Sequence, residues 1–223
     1  MAEGLAATRT RIAEAQRRAG RASGSVRLVL ASKTQTPDAI RAAYLAGARD
    51  FGENYVQESL DKRSALADLT DLRWHMIGHL QTNKAKSAVE NFDLIHTLDS
   101  ERLAAQIARV RSSPKVPMLI EVNLGGETSK NGVAPERVEA LIDAARELVE
   151  IRGLMTVPPQ VDVAEKARPY FAKMREMRER LAALTGLALS ELSMGMTADF
   201  EIAIEEGATI VRVGRAIFGE RRR

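Results

Sequence analysis

The stretch VRLVLASKTQTPDAI (residues 26–40) decides the fold. Its first half, VRLVLAS (26–32), is apolar at nearly every position except Arg27 and Ser32. A strand that is apolar on both of its faces suits a parallel sheet covered on both sides. After a turn of a few residues, Thr36-Pro37-Asp38 sets a capping hydroxyl before a proline, the signature of a helix start. A strand feeding a helix through a short turn is the repeating unit of parallel α/β folds.

Working outward from that unit, the pattern recurs. RDF (49–51), RWHMIG (73–78), DLIHTL (93–98), VPMLIEVNL (116–124), EIRGLMTV (150–157), ALSELSM (188–194) and TIVRVG (209–214) read as further strands, eight with the first. Between them lie helical segments. Asp99-Ser100-Glu101 opens one and Pro135 another, and from about 163 to 184 the residues Phe171, Met174, Met177, Leu181 and Leu184 recur at helical spacing. Such a stripe reads as core rather than as a cofactor box. Eight strand–helix units predict a single (β/α)8 TIM-type barrel with an additional N-terminal helix. The 223 residues suit a fold that takes about 250 and tolerates about 200. The alternative is an open doubly wound sheet, but no G-x-G-x-x-G follows the first strand and no G-x-x-x-x-G-K-[ST] occurs anywhere. With no long linker, repeat or low-complexity stretch, residues 1–223 are expected to form one domain.

Composition narrows the function. The sequence contains no cysteine, which excludes thiol nucleophiles, thiolate metal sites and disulfides. Lys and Arg number 33 against 30 Asp and Glu, and the signs are interleaved, so no nucleic-acid footprint is expected. Arg221-Arg222-Arg223 reads as a solvated tail. Aromatic residues are 4% of the chain, too few for a base-stacking platform. No window approaches the ~18 apolar residues of a membrane helix, and MAEGLAATRTRIAEAQRRAG lacks the apolar core of a secretory signal. The expectation is a soluble, cytoplasmic protein without membrane or nucleic-acid partners. No apolar outer patch is obvious, which favours a monomer.

In a barrel of this kind the chemistry gathers at the carboxyl ends of the strands. Lys33 stands at the end of the first strand, where partial desolvation favours the neutral amine that attacks aldehydes. Taken alone it reads as an ordinary surface charge. Strand seven ends in Ser193-Met194-Gly195-Met196-Thr197 before a helical ADFEIAIEE, and strand eight ends in Arg212-Val213-Gly214-Arg215. Strands seven and eight of such barrels frequently build a phosphate site from backbone amides and a helix N-terminus. Each glycine alone reads as a tight turn. Together, across the mouth from Lys33, they point to an aldehyde bearing a phosphate. His75 and His79 are four residues apart on or beyond a strand, about 13 Å, which is too far to share a metal. His96 reads as a core or strand-end histidine. The three histidines support no Ser–His–Asp relay.

These residues resemble a known family. LVLASKTQ around Lys33, FGENYVQE (51–58), WHMIGHLQTNK (74–84), GLMT (153–156), LSMGMTADF (192–200) and VRVGRAIFG (211–219) are similar to the hallmarks of the pyridoxal phosphate homeostasis proteins. The resemblance runs in order from about residue 5 to 219. It implies the fold-type III barrel related to the N-terminal domain of alanine racemase. It also implies pyridoxal 5'-phosphate bound covalently as a Schiff base on Lys33. By the same resemblance Thr197, Gly214 and the Arg215 amide would contact the phosphate. Arg212 would face the pyridine nitrogen, and Asn54, Ser193 and Met194 would line the ring site. Thr197 falls where the family usually has Ser. Arg215 falls where some members have Thr or Ser.

The expected function is a non-catalytic carrier that buffers pyridoxal phosphate and delivers it to apo-enzymes. A guanidinium at the pyridine nitrogen leaves the ring a weak electron sink, which disfavours carbanion chemistry. The alternative is an amino-acid racemase, which needs a second acid/base such as Tyr on the opposite face of the ligand; Tyr55 is the tyrosine closest to a strand end. A Schiff-base aldolase is a third reading, and it leaves the extended resemblance unexplained.

Overall fold

A computed structural model describes residues 1–111, 113–127 and 130–219; the Arg221-Arg222-Arg223 run lies outside the described residues. The elements run α1 (Ala2–Arg18), β1 (Arg27–Ala31), α2 (Pro37–Leu45), β2 (Asp50–Glu53), α3 (Val56–Ala65) and β3 (Arg73–Met76). Then come α4 (Ala85–Asn91), β4 (Leu94–Leu98), α5 (Glu101–Val110), β5 (Pro117–Glu121), α6 (Val138–Ala145) and β6 (Glu150–Met155). The chain continues through α7 (Arg168–Thr185), β7 (Glu191–Ser193), α8 (Phe200–Glu205), β8 (Ile210–Val213) and α9 (Arg215–Phe218). The strands pair in sequence order, and β8 returns in parallel to β1, closing an eight-stranded barrel. This is the TIM-type architecture that the alternation of strands and helices predicts, with α1 as the additional helix.

Local chemistry places the helix starts. Thr36 Oγ1 accepts the Ala39 N–H at 3.2 Å, and Ser100 Oγ accepts the Leu103 N–H at 3.3 Å. Pro135 opens a 3-10 turn, Pro135–Arg137, that runs into α6. The strand ends differ more from expectation. The run 188–194 yields only Glu191–Ser193, because Leu189 is buried but sits at φ +38°, a left-handed conformation that cannot continue a strand. Burial gives a loop residue the same apolar signature as a strand residue.

Strand alternation divides the core in two. Val29, Leu94, Leu119, Met155 and Ile210 form a small cluster of their own. They share their faces of the strands with the inward polar residues described below, so this cluster fills the barrel interior. Their neighbours Leu30, Ile95, Ile120, Leu154 and Val211 join the large cluster between the strands and the helices. From α7, Phe171, Met174, Met177 and Leu181 enter that cluster, but the stripe stops there, and Leu184 is exposed. Burying each such side chain contributes about 1.5–3 kcal/mol. Outside the barrel, α1 packs on α8 and α9, and Arg11 forks onto Glu201 at 3.0 and 2.9 Å.

Candidate functional site

Parallel pairing gathers every carboxyl end at one rim. β1 stops at Ala31, and Ser32–Gln35 forms a tight turn closed by the Gln35 N–H donating to the Ser32 carbonyl at 2.9 Å. Lys33 lies in this turn, two residues beyond the strand, and is half-buried. The register Leu30↔Val213 sets the turn beside Gly214. A Cβ on Gly214 would stand 3.0 Å from the Ala31 carbonyl oxygen, so the two segments approach closely. The expectation that both glycine turns face Lys33 across the mouth is therefore corrected. Closure makes β8 the neighbour of β1, and the turns are adjacent.

The β7 turn belongs to the same sector. The Arg212 N–H donates to the Gly195 carbonyl at 3.0 Å, tying that turn to β8. Gly195 has φ +91°, and a Cβ there would stand 2.6 Å from the Ala203 Cβ, so the turn requires glycine twice over. Thr197 is half-exposed in the turn that follows. The helix expected to begin directly after it starts only at Phe200. The Met196, Asp199 and Phe200 amides are used within the loop. The Met196 N–H donates to the Asp199 carboxylate at 2.6 Å, and the Asp199 and Phe200 N–H groups donate to the Met196 carbonyl at 3.1 and 2.9 Å. Those amides are not aimed at a ligand. After Gly214, the Ile217 and Phe218 N–H groups donate to its carbonyl, both at 2.9 Å, and the Arg215 side chain is exposed.

Among the other expected residues, Asn54 is half-buried in the bend after β2. Ser193 and Met194 are both at 0% exposure. In this arrangement neither has surface to offer a ligand. Met194 packs in the large hydrophobic cluster, and Ser193 lies beneath Arg212.

The barrel interior holds a feature that sequence reasoning missed. Arg212 Nη1 donates to Ser193 Oγ at 2.5 Å, and Ser193 Oγ lies 2.9 Å from His96 Nδ1. His96 Nε2 lies 3.0 Å from His75 Nδ1, and His75 Nε2 lies 3.0 Å from Asp50 Oδ1. A guanidinium only donates and a carboxylate only accepts, so one direction satisfies every bond. Ser193 donates to His96, which carries its proton on Nε2 and donates to His75; His75 in turn donates to Asp50. Burial first, with the nearby Arg212 cation adding to it, pushes His96 well below the ordinary imidazole range, consistent with the neutral ring this direction needs. Burial alone would raise Asp50, but hydrogen bonds from His75 and Arg73 outweigh it and hold the carboxyl at about 2. The line runs from the amino end of β2 to Arg212 on β8. Arg212 Nη2 also donates to the Thr156 carbonyl at 2.9 Å. Burial pushes Arg212 down to about 10, so it remains a cation at neutral pH.

Sequence reasoning expected no Ser–His–Asp relay; the structure does join Ser193, His96, His75 and Asp50 in a buried line, but it ends on a guanidinium rather than a nucleophile. Its members lie on five strands, up to 97 positions apart between bonded partners, and only barrel closure brings them together. The available signal was Asp50, His75 and His96 as polar residues within apolar runs. His79 pairs separately with Asp99 at 3.1 Å. Among the described residues, no group of three His, Asp or Glu side chains is arranged to hold a metal.

Beside this sector, an open cavity of about 190 Å³ is lined by Glu121, Val122, Asn123, Lys130, Asn131 and Val157. Glu121 Oε2 is buried without a hydrogen-bond partner among the described residues. Burial first, then the charge of Asp99, push its carboxyl up to about 7 against the pull of Arg212.

A cation buried beneath a rim of glycine turns and a strand-end lysine defines a class of barrel, and comparison with known proteins specifies it. The family model for the alanine racemase N-terminal domain matches residues 4–222. The pyridoxal phosphate homeostasis protein of Aquifex aeolicus is 49% identical over 224 residues, 99% of this chain and 98% of that one. Its counterpart in Pseudomonas aeruginosa is 44% identical, over 99% of this chain and 96% of that one. Among solved structures, PipY of Synechococcus elongatus PCC7942 without PLP is 40% identical, with a TM-score of 0.87 over 98% of this chain and 100% of that chain. PipY with PLP bound superposes with a TM-score of 0.82 over 93% of this chain and 100% of that chain. The chain belongs to the pyridoxal phosphate homeostasis protein family.

Proposed function

We propose that this protein binds pyridoxal 5'-phosphate through Lys33 and holds it in reserve for apo-enzymes, as a single-domain monomer without catalytic turnover. The observation that carries the reading is the rim sector of β7, β8 and β1. There an amine-bearing turn adjoins the Gly214 turn, to which the Gly195 turn is itself tied, and a guanidinium is fixed between Ser193 and Thr156. The residues suit the cofactor: Gly195 and Gly214 let the β7 and β8 turns pack closely against Ala203 and Ala31, and the half-exposed Thr197 adds a hydroxyl where an anion would lie. The PLP-bound PipY, with the same fold, supports the same choice of ligand.

Lys33, Thr197, Gly214 and the Arg215 amide would hold the cofactor, with Asn54 beside the ring. Bound there, the cofactor supplies an aldehyde that forms a reversible covalent bond with an amine. The rest falls to the chain. Arg212 stays charged and is held at both ends of its guanidinium, so it presents a donor, not a transferable proton, to whatever faces it. Ser193 acts through Arg212. Met194 supports the turn from below. An arginine rather than a carboxylic acid at the ring nitrogen suits retention over turnover.

Borohydride reduction of the loaded protein, followed by peptide mapping, tests the reading. The adduct is expected on Lys33 and is expected to vanish in Lys33→Ala. Thr197→Ala is expected to weaken retention while leaving the absorbance at saturation intact. An adduct that persists in Lys33→Ala removes the lysine from its role, and rapid loss of α-deuterium from amino acids overturns the non-catalytic reading.

A further inference from the structure

Behind the Lys33 turn lies a buried ionic cluster that the site described above does not use. Lys62, on α3, is 5% exposed and donates to four oxygens: Glu53 Oε1 at 2.8 Å, Glu53 Oε2 at 2.9 Å, Glu58 Oε1 at 2.6 Å and the Ser32 carbonyl at 2.8 Å. Glu53 is at 0% exposure and also accepts from Ser32 Oγ at 2.6 Å. The same Glu58 Oε1 accepts the Thr34 backbone N–H at 2.6 Å.

The contacts fall on the two peptide planes that flank Lys33. The Ser32 carbonyl belongs to the peptide before the Lys33 Cα, and the Thr34 N–H belongs to the peptide after it. One plane is held by Lys62 and the other by Glu58, and these two side chains are themselves bonded. Fixing both planes fixes φ and ψ of Lys33, and with them the direction of its Cα–Cβ bond. The turn also carries strain at the adjacent residue. Thr34 has φ +66°, at a turn position where glycine or asparagine is usual and a β-branched residue is disfavoured. Such a conformation persists only where its surroundings over-determine it, and the Glu58 bond to the Thr34 N–H does so. An ordinary surface turn needs no buried lysine, two carboxylates and a strained threonine.

We propose that Lys62 and Glu58 are positioning residues that aim the Lys33 amine and thereby set how fast it bonds to and releases an aldehyde ligand. This rests on the assignment of Lys33 as the attachment point. In the step concerned, the Lys33 nitrogen adds to the aldehyde carbon, two N–H protons leave with the carbonyl oxygen as one water, and C=N replaces C=O. No redox partner is needed. The cluster contributes no atom to this step. It holds the nitrogen on the line of approach, and misplacement by about 1 Å costs up to about 10²-fold in rate.

The test separates bonding from binding in the full-length protein. Attachment of pyridoxal 5'-phosphate is timed by its absorbance change and by borohydride trapping. Non-covalent affinity is measured with 4'-deoxypyridoxine 5'-phosphate, which keeps the ring and phosphate but has no aldehyde. Lys62→Met and Glu58→Ala are expected to slow attachment by about tenfold or more while leaving affinity for the deoxy compound unchanged. Glu58→Gln, whose amide oxygen can still accept from Thr34, is expected to recover most of the rate. Should Lys62→Met fail to fold, the more exposed Glu58 pair of variants decides the matter. Attachment at the wild-type rate, or a parallel loss of affinity for the deoxy compound, overturns the proposal. A wild-type adduct mapped to a residue other than Lys33 overturns the parent assignment instead.

Discussion

Replacing Glu121 by glutamine is expected to stabilise the ligand-free protein in a strongly pH-dependent way. Glu121 closes β5, and its Oε2 has no hydrogen-bond partner among the described residues. Burial and the nearby Asp99 raise its carboxyl from 4.5 to about 7. Below 4.5 the group is neutral in both folded and unfolded chains and affects stability little. As pH rises from 4.5 to about 7, the unfolded chain ionises Glu121 while the folded chain retains the proton. The stability present at low pH is therefore lost over that interval. At about 1.36 kcal/mol per pH unit the loss comes to about 3 kcal/mol. Glutamine matches the protonated acid in shape and never ionises. The variant should therefore melt near the wild type at pH 5, apart from a constant offset of about 1 kcal/mol for an unpaired amide. Net of that offset it should melt higher by roughly 4–8 °C at pH 8, given about 2–4 °C per kcal/mol for a domain of this size. Thermal and urea denaturation of both proteins from pH 5 to 9 measures the difference. Parallel stability curves with a pH-independent gap would show that Glu121 titrates normally, and would refute the claim that the barrel buries an uncompensated carboxyl.

Two further changes probe the interior line and the rim. Asp50 is held at about 2, below its ordinary 3.8, so it contributes stability at neutral pH that is lost as pH falls through about 4 toward 2. Asp50→Asn should flatten the acid limb of the stability curve by about 2 kcal/mol in urea titrations, and an unchanged acid slope would remove Asp50 from the buried hydrogen-bonded line. Gly195→Ala puts a Cβ at φ +91°, 2.6 Å from the Ala203 Cβ and 2.9 Å from the Phe200 Cα. A loss of about 2–4 kcal/mol is expected from the combined backbone strain and overlap. A urea midpoint within experimental scatter of the wild type would show that the β7 turn relaxes freely.

The sequence alone determined what depends on near neighbours. The repeating apolar run and capped helix, legible at Val26–Pro37, implies the strand–helix alternation and thus the barrel. Thr36 and Ser100 cap the helices they precede because a capping hydroxyl acts within three residues of itself. Lys33, Gly195 and Gly214 stand out as special residues at the ends of apolar runs. What the linear order could not supply was which strand ends adjoin and which side chains turn inward together. Closure of β8 onto β1 made the Gly214 turn the neighbour of Lys33. Barrel register lined up Asp50, His75, His96, Ser193 and Arg212. The fold of α3 against β1 and β2 drove Lys62 onto Glu53 and the Ser32 carbonyl. Each of these contacts joins separate strands and helices across the chain, and its partners are set by the register and closure of the sheet rather than by local propensity. Burial then decides the charge states, because only the assembled barrel removes the water that would have kept Glu121 and His96 ordinary.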